Sequence, residues 1–302
     1  MRPERRIFAA NGLPLNKKFL NTLLFVLLSI IWGSSFRLIK VGLTSLDAYQ
    51  LASLRILSAG LVLLPFGYRA IQSVSSAQRQ WIALSGILGT FFPAYFFCIA
   101  ETRIDSSLAG ILNALTPLFT LSIGVALFRH PAGWKKWVGV AMGFGGLAIL
   151  LFAGAGKVSL SNLSFASFVL LATCCYGLNV NLVNRHLQGV GSRDIAAIAF
   201  SVLIPPALLI LWQTDFFSLS WSSQGFMVSA AAGALLGVVG TAFASVLFYV
   251  LLKRAGPLMA SMVTYGIPFV AIFWGWLAGE GISAVQIGGL MVILGGVYLA
   301  SE

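Results

Sequence analysis

Charged side chains are scarce. Asp, Glu, Lys and Arg make up 9% of the 302 residues, and hydrophobic residues make up 59%. A soluble domain carries about 25% charge to cover its surface. This chain has too little charge for a water-compatible shell, which excludes a soluble globular protein and points to the bilayer. Acidic residues are rarer still, 8 Asp and Glu against 19 Lys and Arg. None sits deep in an apolar run; Glu101 and Glu280 fall near run ends, and the two histidines, His130 and His186, lie in flanking segments. A proton relay of intramembrane carboxylates or histidines is therefore not visible. Only three cysteines occur, Cys98, Cys174 and Cys175, all inside apolar runs. They read as small core residues rather than a disulfide or metal site. No phosphate-binding glycine loop is present, and no nucleophile with a base, or metal cluster, falls at membrane depth. An ATP-driven pump and an enzyme are excluded, and neither cofactor nor metal is expected.

Long apolar runs are abundant. Windows long enough to cross about 30 Å of hydrocarbon as helices fall near 19–41, 46–68, 80–101, 105–128, 134–154, 163–185, 194–212, 225–252, 257–279 and 283–300. They are too long and too unalternating for barrel strands. The expected fold is an all-α polytopic membrane protein of ten transmembrane helices. With a cytoplasmic N-terminus, one side collects Arg2, Arg5, Arg6, Lys17, Lys18, Arg69, Arg79, Arg129, Lys135, Lys136, Arg185, Arg193, Lys253 and Arg254. The other receives Arg37, Lys40, Arg103 and Lys157, with Asp47, Glu101, Asp105, Asp215 and Glu280. This positive-inside bias predicts a multi-pass protein of the inner membrane with both termini cytoplasmic. The basic N-terminal stretch reads as retained rather than as a cleaved signal. The net charge of +11 is then a topology signal, not a nucleic-acid footprint. The expected partners are lipid and a small solute, and the short loops suit a monomer.

One phrase is written twice. ALSGILGTFF, residues 83–92, and ALLGVVGTAF, residues 234–243, share G-x-x-G-T in the same frame. Extending that register without gaps aligns Phe97 with Phe248, Ala109 with Ala260, Pro117 with Pro268 and Gly124 with Gly275. Upstream, Trp32-Gly33 aligns with Tyr176-Gly177 in another register. The chain reads as two five-helix copies, residues 1–157 and 158–302. Five is odd, so the second copy enters the membrane upside down. Inverted repeats place a site near the midplane, where the halves meet. Gly86, Gly89, Gly237 and Gly240 are expected to be packing strips, since helices in lipid associate through small residues.

Trp32-Gly33-Ser34-Ser35-Phe36 resembles the W-G-S-S-F signature of EamA-type members of the drug/metabolite transporter superfamily. Arg55, the mid-helix prolines and the duplicated layout are similar too. Within the superfamily the chain is similar to the YddG-type amino-acid exporters. The resemblance implies alternating access, export from the cytoplasm and a central cavity lined by both halves.

The residues offer candidates for that cavity. A lone arginine inside a span is costly, so Arg55 should face the bundle interior, as a solute-carboxylate anchor or as a clamp to helix-end carbonyls. Trp32 and Ser35 place an aromatic ring and a hydroxyl on the first helix; Tyr176 and Asn179 follow on the sixth. A buried amide bonds across helices or holds a ligand. Pro117 and Pro268 free the carbonyls of Asn113 and Thr264, open to a solute or satisfied by neighbouring hydroxyls. Pro93 is a further expected break. Tyr95 and Tyr265, beside the breaks, are candidate cavity walls. The resulting expectation is a secondary exporter of amino acids, aromatic or large neutral ones, with a broad drug and metabolite exporter as the alternative.

Overall fold

The computed structural model describes residues 17–150 and 160–301. The basic N-terminal tail, Lys157 and the expected junction between the copies lie outside them. Ten helical rods follow one another: α1 Lys17–Gly42, α2 Ala48–Ala70, α3 Ser76–Ala100, α4 Ser106–Phe128, α5 Trp134–Ala148, α6 Leu160–His186, α7 Ser192–Gln213, α8 Gln224–Ala255, α9 Pro257–Leu277 and α10 Ala284–Ser301. No strand occurs among the described residues. Eight of the rods are long and apolar enough to cross a membrane. Their outer faces carry Leu23, Ile30, Leu61, Leu235 and Phe269, all exposed. Such a surface is at home against acyl chains, and the chain is an all-α polytopic membrane protein.

Local chemistry sets the rod ends. The Asp47 carboxylate accepts from the backbone N–H of Tyr49 and Gln50, at 2.7 and 2.8 Å, and the Gln50 side chain accepts from the Asp47 N–H. This reciprocal cap satisfies donors that have no partner inside α2. Ser75 and Gln78 repeat the device at α3. Gly256, at φ +85°, ends α8 at once, and Pro257 begins α9. Few residues besides glycine adopt that φ, and proline is preset for a first helical turn.

The packing repeats itself when the two sets of five rods are exchanged. α2 lies along α7, α5 along α10 and α4 against α9. α1 packs on α8 and α9 as α6 packs on α3 and α4; α2 packs on α3 and α8 as α7 packs on α8 and α3. Each such contact has its counterpart under the exchange. The repeated phrase lies at this interface. A methyl at Gly86 would stand 3.3 Å from the Ala199 carbonyl of α7, and one at Gly237 2.4 Å from the Arg55 carbonyl of α2. A methyl at Gly89 would meet Asn179 of α6, and one at Gly240 would meet Ser35 of α1. Gly86 and Gly237 let backbones approach closely, as lipid-embedded helices do through small residues, and Gly89 and Gly240 leave room for the Asn179 and Ser35 side chains.

The loop ends fall into two groups. Lys40 reaches the Glu101 carbonyl, Gln50 reaches the Thr214 carbonyl, and Thr44 meets Ser229. With Asp47, Asp105, Asp215 and Glu280 nearby in sequence, this is termed the acidic end. At the basic end Arg254 bonds Asn21, Lys253 bonds the Gln188 carbonyl, and Trp81 stacks on His186 at 3.9 Å.

Candidate functional site

Four rods are irregular near their middles. α3 and α8 widen into π-helical turns at Ile87–Phe91 and Val238–Phe243, the two copies of the phrase. π turns often mark functional positions. In α8 the Thr241 hydroxyl donates to the Leu236 carbonyl, five residues back, at 2.9 Å. Pro93 follows the turn in α3, but Ala244 stands there in α8, so proline does not cause the widening. α4 breaks between Asn113 and Thr116, ahead of Pro117. α9 tightens over Met262–Tyr265, ahead of Pro268. Hydroxyls take up backbone acceptors at both breaks. Thr116 Oγ1 donates to the Asn113 carbonyl at 2.7 Å, and Ser29 of α1 donates to the Val263 carbonyl at 3.0 Å. The Asn113 carbonyl, expected to stand open or to meet a hydroxyl, meets the hydroxyl.

These irregular stretches surround one cavity of about 90 Å³. At 10–15 Å³ per water position that is room for roughly six to nine waters. Trp32, Phe36, Phe97, Tyr176, Phe248 and Tyr249 form its aromatic walls. The walls follow the repeat: Trp32 packs on Phe248 at 5.3 Å, and Tyr176 lies over Phe97 at 6.1 Å. Trp32 Nε1 donates to the Gly240 carbonyl at 3.0 Å, tying α1 to the turn in α8. Polar side chains come from both sets of rods: Ser35, Arg55, Thr90, Asn113 and Thr116 from the first five, and Asn179, Thr241, Ser245, Ser261 and Thr264 from the second.

Arg55 is the cation of this cavity. It is buried, 8% exposed, and its Nε donates to Thr241 Oγ1 at 2.6 Å. Thr241 passes the link on to Leu236, so the arginine is held by the hydroxyl of a π turn in the other half. A guanidinium has five donors. Among the described residues no carboxylate is within ion-pair distance of Arg55, and no other hydrogen bond from it is formed. The repeat sets Ala199 in the corresponding place on α7, so the cation has no twin. Asn179 supplies the opposite polarity: its Oδ1 is buried and accepts no hydrogen bond. Asn181, on the same helix, is spent on structure. Its Nδ2 donates to the Thr120 and Gly177 carbonyls, each at 2.8 Å, clamping α6 to α4. A buried polar atom without a partner calls for an explanation, and a ligand is one.

The structure therefore brings Trp32, Ser35, Arg55, Asn113, Tyr176 and Asn179 together around the cavity. Tyr95 and Tyr265 do not line it. The Tyr95 hydroxyl shares a hydrogen bond with Ser53 at 2.7 Å, and the Tyr265 hydroxyl is buried without a partner. Sequence reasoning passed over Thr90, Thr241, Ser245, Phe248 and Tyr249 as lining residues. Thr90 and Thr241 carried a usable signal, because they close the repeated phrase; Phe97 and Phe248 carried another as an aligned identity.

At the acidic end, Glu280 follows α9 and accepts from the Ser106 N–H at 3.1 Å, the Ser106 hydroxyl at 2.5 Å and the Ser107 N–H at 3.0 Å. The carboxylate caps α4 at its N-terminus, where free N–H groups and the helix dipole favour an anion. Burial alone would push this carboxyl up. The hydrogen bonds from Ser106 and Ser107 outweigh it and hold the group below the usual carboxylate range.

The chain is similar to known membrane transporters. The uncharacterised inner membrane transporter YedA of Escherichia coli K12 is 29% identical over 286 residues, covering 91% of this chain and 88% of its own length. A probable amino-acid metabolite efflux pump of Salmonella typhimurium is 24% identical over 289 residues, covering 91% and 93%. An S-adenosylmethionine uptake transporter of Rickettsia prowazekii is 24% identical over 238 residues, covering 78% and 76%. A solved crystal structure superposes with a TM-score of 0.64 over 93% of this chain and 96% of its own, at 18% identity, which shows a shared fold. The EamA-like transporter family matches residues 20–152 and again residues 163–302, one match per set of five rods. With both halves matched, the chain belongs to the EamA-like transporter family.

Proposed function

We propose that this transporter exports amino acids, aromatic or large neutral ones, from the cytoplasm by alternating access, with the acidic end facing outward and both termini inside. One observation carries the reading: the same cavity holds a cation with unused donors, Arg55, and a buried acceptor without a partner, Asn179. A zwitterion presents the complementary pair, a carboxylate for Arg55 and an ammonium for Asn179. The aromatic walls receive its side chain, as apolar pockets with a few polar groups do. No carboxylate lines the cavity, so an organic cation finds no counter-ion, and a single arginine is a thin site for a phosphate ester. The efflux named for the Salmonella relative supports the outward direction. A broad drug and metabolite exporter is the second reading, favoured by the extent of those walls. At about 90 Å³ the cavity has little room, so a large side chain enters only when it widens.

The test is counterflow of radiolabelled leucine and phenylalanine in proteoliposomes. Wild type should exchange both, with competition by other amino acids and little by non-zwitterionic drugs. Hydrogen bonds to a charged group contribute about 1.5–3 kcal/mol, so Arg55→Ala should weaken apparent affinity about 10- to 100-fold. Absence of exchange for every amino acid would remove the substrate class. Unchanged exchange in Arg55→Ala would remove the role given to the guanidinium.

A further inference from the structure

Glu101 is the one fully buried acidic side chain among the described residues, at 1% exposure. It sits in the turn after α3, at the acidic end, and neither of its carboxyl oxygens has a hydrogen-bond partner. Lys40, at the end of α1, comes close. Its Nζ donates at 2.7 Å to the main-chain carbonyl of Glu101 and not to the carboxyl group. The charged and titratable groups facing Glu101 are Lys40 on α1, Arg55 on α2, Glu280 in the turn after α9, and the Cys98 thiol one turn back on its own helix. The G-x-x-G-T register sets Leu252, fully buried, opposite Glu101 in the second copy. The group is therefore an addition to one end of a duplicated frame, not part of the frame.

An ionised carboxylate removed from water, with no N–H or O–H to accept from, is expensive; the neutral acid costs far less. Glu280, in the neighbouring turn, shows the contrast, because three donors hold its charge. We propose that Glu101 is a proton-binding site at the acidic-end mouth of the cavity, occupied while that mouth is closed and emptied when opening admits water to the carboxyl group. The site gives the transporter of the preceding section an ion-linked step and rests on that reading for its alternating access. It also keeps a nearby protein carboxylate neutral, leaving Arg55 uncompensated for a solute anion.

The sign of the linkage follows from the environment. Burial pushes the Glu101 carboxyl well above the usual range; Lys40 opposes this, Glu280 adds to it and Arg55 opposes it. Proton binding therefore favours the closed mouth. The preference is fully present below the ordinary carboxylate value of about 4.3. It falls as the outside pH rises from there through the value in the closed state, by about tenfold in population per pH unit.

Two readouts on the full-length protein test this without a solute. The first is an infrared titration of the purified transporter. With 8 Asp and Glu in the chain, a protonated-carboxyl band at pH 7 is resolvable. Wild type should show it and lose it as pH rises, and Glu101→Gln should lack it. Absence of the band in wild type at pH 7 would overturn the site. The second follows labelling of Ile39→Cys, a buried cavity position on α1 toward this end, by an impermeant thiol reagent added from the acidic end. The background has Cys98, Cys174 and Cys175 replaced by Ser. Thiol ionisation raises labelling with pH in every variant, so the quantity read is the rate in the Glu101 protein divided by that in Glu101→Gln. The ratio should climb with pH toward tenfold per unit; a flat ratio would overturn the linkage. Failure of either readout leaves amino-acid counterflow as a separate question, and failure of counterflow leaves both readouts intact.

Discussion

Replacing Thr241 by Val keeps the branched shape of the side chain and deletes one hydroxyl. That hydroxyl accepts from Arg55 Nε at 2.6 Å and donates to the Leu236 carbonyl at 2.9 Å. The first bond is charge-assisted and buried, so its loss should cost about 1.5–3 kcal/mol. Thr90 provides the internal reference. It occupies the same place in the other copy of the phrase and lines the same cavity, but Ala199 stands where an arginine would be needed to bond it. Thr90→Val should therefore be cheaper by about the worth of the charged bond, 1.5–3 kcal/mol. The assay is reversible unfolding of each variant in mixed micelles, followed by tryptophan fluorescence, with the two free-energy losses compared directly. Equal losses would refute the reasoning, because they would mean that the arginine draws nothing from the π turn across the interface.

Gly237→Ala would press a methyl to within 2.4 Å of the Arg55 carbonyl, so it should destabilise the fold by about 1–3 kcal/mol in the same assay. Gly288→Ala, with no atom within 4 Å of the added methyl, should be neutral or slightly stabilising as a gain in helix propensity. Asn181→Ala removes the bond to Thr120 that holds α6 to α4 and a second bond to Gly177 within α6, and should lose about 1 kcal/mol or more, visible as a lower unfolding midpoint. The Glu280 carboxyl is held below its ordinary value, so its stabilisation is present above about pH 4.3 and lost as pH falls through the lowered value. The melting temperature of wild type should drop on acidification through that window, and that of Glu280→Gln, lower at pH 7, should show a smaller drop.

The rods were legible because bilayer crossing demands long apolar runs, and nothing in this chain competes with that signal. Asp47 with Gln50, and Gly256 with Pro257, fix rod ends through capping and backbone preference, signals the apolar windows alone do not use. The repeated phrase showed that two stretches are alike, but not that each would open into a π turn. That outcome depends on where the Thr241 hydroxyl finds a carbonyl, which is a property of the assembled helix. Arg55 was legible as a costly charge with an interior destination. Its partner was not, since Thr241 lies far along the chain in the other half. Tyr95 and Tyr265 were expected at the cavity wall from their position beside breaks, and Tyr176 from its alignment with Trp32, yet only Tyr176 lines the cavity. The side a ring faces is set by helix rotation, which the spacing of uniformly apolar residues does not fix. Glu101 was misleading in a similar way. A place near the end of a run suggested contact with water, and the turns that close over it come from distant segments.

The central claim is that a solute passes through the chamber between the two halves, reaching it from each side of the membrane in turn. A single cysteine at Ser245, a cavity-lining position on α8, tests this in a background with Cys98, Cys174 and Cys175 replaced. An impermeant thiol reagent should modify Ser245→Cys when added from either face of oriented vesicles, and a transported amino acid should change both rates. Modification from one face alone, or from neither, would contradict alternating access through this cavity.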